Sequence, residues 1–139
     1  MAIAQQQDFS KINIETQQLA PSLDMLMGSG GNMALSTGSD GSVLVDTEHA
    51  PLNEKIRAAI KAAGGSDVKF VINTHYHGDH TGGNEPFGKA GAVIIAQDNV
   101  RARMSTEQFM AAFNQKIPPS PAAALPTVTF RGPGRRREA

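Results

Sequence analysis

The residues Val68-Lys69-Phe70-Val71-Ile72-Asn73 form an apolar run of strand length that leads straight into Thr74-His75-Tyr76-His77-Gly78-Asp79-His80. Such a run reads as a buried strand. With the other strands and helices read along the chain, the fold class is α/β (α+β). The His-rich loop then falls where α/β folds place their sites, just beyond the C-terminal end of a buried strand.

Three of the four histidines of the chain lie in that loop, with Asp79 among them. In an extended segment, residues two apart point the same way, so His75 and His77 can grip one ion. Gly78 is expected to permit a sharp bend. Beyond the bend, Asp79 and His80 can reach a second, adjacent position. The chain has no cysteine, so any metal is held by His, Asp or Glu. These donors suit zinc, and also iron, manganese or nickel. A solvated His-rich loop, or histidines bonded within a core, would not account for four donors directly after a buried strand. Gly82-Gly83 lets the chain turn closely past the site.

The segments before the loop read as short strands and one helix. Ile12, Ile14 and Thr16 alternate with polar residues, and Leu23 to Met27 follows as a second strand. Asn32 to Thr37 and Ser42 to Asp46 flank Gly38-Ser39-Asp40-Gly41, whose Asp-Gly pair signals a hairpin. Pro51 suits the first turn of a helix whose stripe is Leu52, Ile56, Ile60 and Ala63, and Gly64-Gly65 supplies the stop. After the loop, Ala92 to Ala96 reads as a further buried strand. Asp98 is expected to cap a helix from Asn99 to Met104. Ser105 with Gln108 looks like a capping box opening another helix towards Phe113. Pro118, Pro119, Pro121 and Pro126 make a stiff connection, and Thr127 to Phe130 begins one more strand.

Bulk composition narrows the partners. The 139 residues suffice for one domain with one core. The 13 basic and 13 acidic residues cancel, giving no general attraction to nucleic acid or anionic membrane. Arg135-Arg136-Arg137 is too short a basic run, without interleaved aromatics, to argue for nucleic acid. No apolar run approaches a membrane span. Ala2-Ile3-Ala4 has the small-x-small form of a signal cleavage site. The compartment is thus cytoplasmic as written, or periplasmic or secreted if a signal peptide precedes it.

The segment Thr74 to Gly83 resembles the signature of the metallo-β-lactamase superfamily. The resemblance extends to Gly41–Asp46 with the Pro51 helix, and to Phe87-Gly88-Lys89-Ala90-Gly91 with the strand after it. It covers roughly residues 22 to 130. It implies an αββα sandwich of two similar halves, of which this chain matches the N-terminal one: a mixed sheet with helices on one face. It implies a metal-dependent hydrolase, dinuclear with zinc (iron or manganese being the alternatives). His75 and His77 would hold the first metal, and Asp79 and His80 the second. A water activated by the metals would be the nucleophile, oriented by Asp79 as the catalytic residue. Asp46 resembles a family aspartate near the site that supports the ligands.

Family members complete each metal with residues from the second half, and this chain has no histidine after His80. His49 stands where the family uses no ligand and reads as an exposed residue near a helix start. The expected organisation is an N-terminal extension and first strand (1–21), the half-domain (22–130) and a basic tail (131–139) that reads as a truncated or frame-shifted end. The substrate is a small molecule, with esters, thioesters, lactams and phosphoesters all open. A complementing C-terminal half or a homodimer would supply what is missing. The rival readings are a non-catalytic metal-binding half-domain and a non-functional gene fragment.

Overall fold

A computed structural model of the chain describes residues 7–132. Ala2-Ile3-Ala4 and Arg135–Arg137 therefore lie outside the described residues, as does most of the basic segment. In chain order the elements are β1 (Glu15–Ala20), β2 (Leu23–Met27), β3 (Asn32–Gly38), β4 (Gly41–Val45), α1 (Asn53–Ala62), β5 (Val68–Ile72), α2 (Gly78–Thr81), α3 (Asn84–Lys89), β6 (Val93–Gln97), α4 (Asp98–Met104), β7 (Gln108–Met110), β8 (Gln115–Ile117) and β9 (Val128–Phe130). Seven strands make one mixed sheet in the order β1-β2-β3-β4-β5-β6-β9, and β7 with β8 makes a separate hairpin. The first four strands pair antiparallel, while β4, β5, β6 and β9 pair parallel.

The strand register explains why only one face is buried. Leu35, Leu44, Val71 and Ile94 stand opposite one another across four strands. With Leu26 and Met33 they pack against Leu52, Ile56 and Ile60 of the α1 region and Phe87 of α3. This is the period-2 face of a sheet meeting the helical stripe. The opposite face carries the next register row: Met25, Ala34, Val45, Ile72, Ile95 and Val128. None of these six is buried. On the same face Phe70 is 44% exposed and Phe130 51%. The architecture is a mixed sheet with helices on one face, as expected of half a sandwich. Patches of this kind ordinarily mark a surface that meets another.

Several expectations are corrected by the structure. The segment Val68–Asn73 is buried on one face only, because no described residue covers Phe70. The alternating Ile12 and Ile14 precede β1 rather than form it, and they pack onto the main core. Helix α4 is capped by the Gln97 side chain, which accepts from Asn99 N–H, and not by Asp98. No helix runs from Ser105 to Phe113. Ser105 ends α4, with its hydroxyl donating to Arg101 O. Gln108 reaches back to Arg103 O and pairs in β7 with Ile117 of β8. No helix among the described residues is long and apolar enough to cross a membrane.

Candidate metal centre

β4 and β5 run parallel and side by side, so their C-terminal ends deliver Asp46 and Thr74 to the same place. Asp46 is buried and holds a left-handed backbone, φ 63°. Its Oδ1 accepts the Thr74 backbone N–H at 2.8 Å, and its Oδ2 accepts the Thr74 hydroxyl at 2.7 Å. The same Oδ2 lies 2.7 Å from His80 Nδ1. Thr74 Oγ1 is also 3.0 Å from His75 Nδ1.

The tautomers follow from this network. An ionised carboxylate only accepts, so His80 donates from Nδ1 and the Thr74 hydroxyl donates to Asp46. With its one proton spent, Thr74 Oγ1 can only accept from His75 Nδ1. In the neutral form of each ring the proton then sits on Nδ1 and leaves Nε2 as the nitrogen that can bind a metal. Burial, with the neighbouring His80 and His77 rings, holds His75 below the usual imidazole range, which favours that neutral form.

Donor atoms of His75, Asp79 and His80 lie within 4.8 Å of one another. His80 Nε2 is 3.4 Å from Asp79 Oδ2, and the His75 and His80 ring centroids are 4.0 Å apart. Three donors of this chemistry at this spacing fit a cation of the zinc class. His77 stands outside the cluster. Its ring meets that of His75 edge-on at 4.9 Å and lines an adjoining cleft. His49 is also apart, packed on Phe9 at 4.9 Å between centroids. Gly78 opens α2, and a Cβ there would meet nothing within 4 Å, so the bend does not depend on glycine.

Gly83 does matter, for a different reason. A Cβ on it would collide with the Thr47 carbonyl oxygen, and one on Gly82 would sit 2.7 Å from Glu48 O. The pair lets the His-rich loop lie against the end of β4, where Gly83 N–H donates to Glu48 O and Thr47 N–H to His80 O. Below the loop, Asn84 pairs with Asn73 and Thr47 in a buried amide cluster. Gly83→Ala is expected to cost about 2 kcal/mol of stability, because its obstacle is backbone. Urea unfolding checks this, and an unchanged midpoint would contradict the close contact.

Glu48 escapes notice in the sequence, where it is one acidic residue near a helix start. In the structure it is fully buried, and no donor reaches either carboxyl oxygen in good hydrogen-bond geometry, the His49 and Ser29 backbone N–H groups standing near without closing a full bond. Burial pushes its carboxyl up to about 7, with Asp79 adding to the rise against the His49 and Ser29 backbone N–H groups. A carboxyl raised from 4.5 to about 7 on folding stabilises the fold fully below pH 4.5. That contribution is lost as pH climbs through 7. With a chelator present, Glu48→Gln should therefore stabilise the chain at pH 8 by up to about 3 kcal/mol and change little at pH 4.5. An equal effect at both pH values would refute the shift. The turn Gly28-Ser29-Gly30-Gly31 lies over the same groups: a Cβ on Gly31 would meet His80 Cε1 at 2.8 Å.

The family model described as the metallo-beta-lactamase superfamily matches residues 27–138. No curated protein matches the chain. A metallo-β-lactamase of Cronobacter sakazakii with a HARLDQ motif superposes with TM-score 0.71 at 22% identity, over 86% of this chain and 47% of that one. A subclass B3 metallo-β-lactamase of Bradyrhizobium japonicum gives 0.60 at 27% identity, over 67% and 36%. One from Legionella gormanii gives 0.62 at 21%, over 68% and 37%. The chain spans less than half the length of each of these structures.

Proposed function

Because the chain belongs to the metallo-β-lactamase superfamily, we propose that its His75–His80 loop is the metal centre of a zinc-dependent hydrolase. The observation that carries this reading is the hydrogen-bond chain through Asp46 and Thr74, which presents two imidazoles in the metal-binding tautomer beside Asp79. His75, Asp79 and His80 would hold the cation. His77, whose ring adjoins that of His75, would serve a second position, which is the dinuclear form of the proposal. The chemistry that zinc supplies when bound is Lewis acidity, which brings water close to ionisation at neutral pH. Asp79 accepts a hydrogen bond from an incoming water at its free carboxylate oxygen and so orients it for attack. Asp46 holds the imidazole planes still, acting through Thr74 on His75 and directly on His80.

The bond that is cut is a carbonyl or phosphoryl one, in an ester, thioester, lactam or phosphoester. The apolar sheet face is the docking surface for a complementing half-domain or a second copy of the chain. A panel assay tests the reading: zinc-loaded chain against a p-nitrophenyl ester, a thioester, a cephalosporin and bis-p-nitrophenyl phosphate. Hydrolysis that tracks zinc content and disappears in His80→Ala supports it. A chain that binds zinc yet exceeds buffer on none of the four would instead be a metal-binding module. That second reading is favoured by one observation, that all its clustered donors come from a single loop.

A further inference from the structure

A cleft of about 200 Å³ lies between the metal loop and the β7–β8 hairpin. Its walls are Tyr76, Met104, Met110, Ile117 and Pro121, with Ala124 at its base. The base belongs to the second, smaller core of Ala96, Val100, Met104 and Ala124, onto which Tyr76 packs.

The polar side chains that line it are mostly engaged already. Thr81 Oγ1 donates to the carbonyls of Tyr76 and His77. Glu85 pairs with Lys89 at 2.7 Å. The Arg103 guanidinium is the exception: it lies over the Tyr76 ring, 4.9 Å from its centroid, with its N–H groups still able to donate at the rim. Gln108 donates to Arg103 O and to Thr106. Between Met104, Met110, Ile117 and Pro121 a guest therefore meets mainly apolar surface, and an apolar group gains most there. The size suits one ring, since a dry cavity of about 150 Å³ holds benzene. The methionines at its wall adapt to shape.

The cleft and the donor cluster share a boundary. His77 lines the cleft, and its ring touches that of His75, a member of the cluster. A group seated in the cleft thus has its attachment next to the cluster. We infer that the cleft receives an aryl or short acyl substituent of the substrate, an assignment that rests on the hydrolase reading of the adjacent site.

Tyr76 is the only tyrosine and there is no tryptophan, so intrinsic emission reports on this cleft directly. The zinc-loaded chain is titrated with N-benzylacetamide and, separately, with acetamide, which lacks the ring. A saturable change with the first and none with the second is expected. Met110→Lys and Ile117→Lys, on opposite strands of the hairpin, should each raise the half-saturating concentration at least about tenfold, because they place a charge where the ring sits. Phe113→Lys lies on the same hairpin, away from the cleft, and should leave it unchanged. Zinc content, measured in parallel, separates the two claims. Zinc bound with no benzyl-specific change, or one that both lysine variants leave intact, overturns the cleft assignment alone. A benzyl-specific change without bound zinc overturns the hydrolase reading, and the guest is then no substrate.

Discussion

Asp46→Ala is expected to lower folding stability by about 3–5 kcal/mol, since it strands three donors: the Thr74 N–H, the Thr74 hydroxyl and His80 Nδ1–H. It should also weaken zinc binding by roughly 10- to 100-fold, the usual loss when the group orienting a ligand is removed. The two effects separate experimentally. Asp46→Asn keeps one accepting oxygen and the side-chain volume, so it should recover part of the stability. Its NH2 must face either the Thr74 N–H or, flipped, the donors at Thr74 Oγ1 and His80 Nδ1, and its neutral oxygen holds the His80 N–H less firmly than a carboxylate does, so the loss of zinc affinity should persist. Denaturant unfolding and a competitive zinc titration on both variants check this. Equal zinc affinity in Asp46→Asn and the unaltered chain would mean that the network supports the fold and not the ligands.

His80→Ala is expected to remove zinc binding almost entirely. Structural zinc sites are worth about 10–16 kcal/mol over four ligands, so one ligand is worth roughly 3 kcal/mol, or a few hundredfold. The ring is only partly buried, which keeps the stability cost well below that of Asp46→Ala. His49→Ala is the matched control. It removes a histidine that packs on Phe9 and belongs to no donor cluster among the described residues, so zinc affinity should not change. Equilibrium dialysis on the three proteins distinguishes them. A loss in His49→Ala as large as that in His80→Ala would break the assignment of donors.

The parts of the fold that were legible in the sequence rest on local chemistry. Asp40-Gly41 dictates a tight turn whatever surrounds it, and β3 and β4 pair across it. The stripe of Leu52, Ile56 and Ile60 buries itself as its spacing requires. Where a local signal competes with distant pairing, the sequence misleads. Ser105 and Gln108 have the spacing of a capping box, yet the pairing of Phe109 with Lys116 and of Gln108 with Ile117 draws the segment into a hairpin. The same limit applies at the site. The donor residues stand together in one loop and are visible at once. The hydrogen bonds that set their tautomers cross from residue 46 to residues 74 and 80, and only the parallel pairing of β4 with β5 creates them. Glu48 and the Asn73–Asn84 pair are ordinary polar residues by composition; burial alone makes them notable. His77 stands in the same motif, and its ring lies beside that of His75 at the edge of the cleft, a placement the spacing alone does not give.

The central claim is that the loop after β5 holds a metal through imidazole nitrogen and carboxylate oxygen. Zinc K-edge X-ray absorption on the zinc-loaded chain tests it most directly. The account predicts a first shell of nitrogen and oxygen at about 2.0–2.1 Å with the outer-shell scattering of at least two imidazoles. That imidazole signal should diminish in His80→Ala. A zinc shell without imidazole scattering, or the same spectrum in His80→Ala as in the unaltered chain, would contradict it.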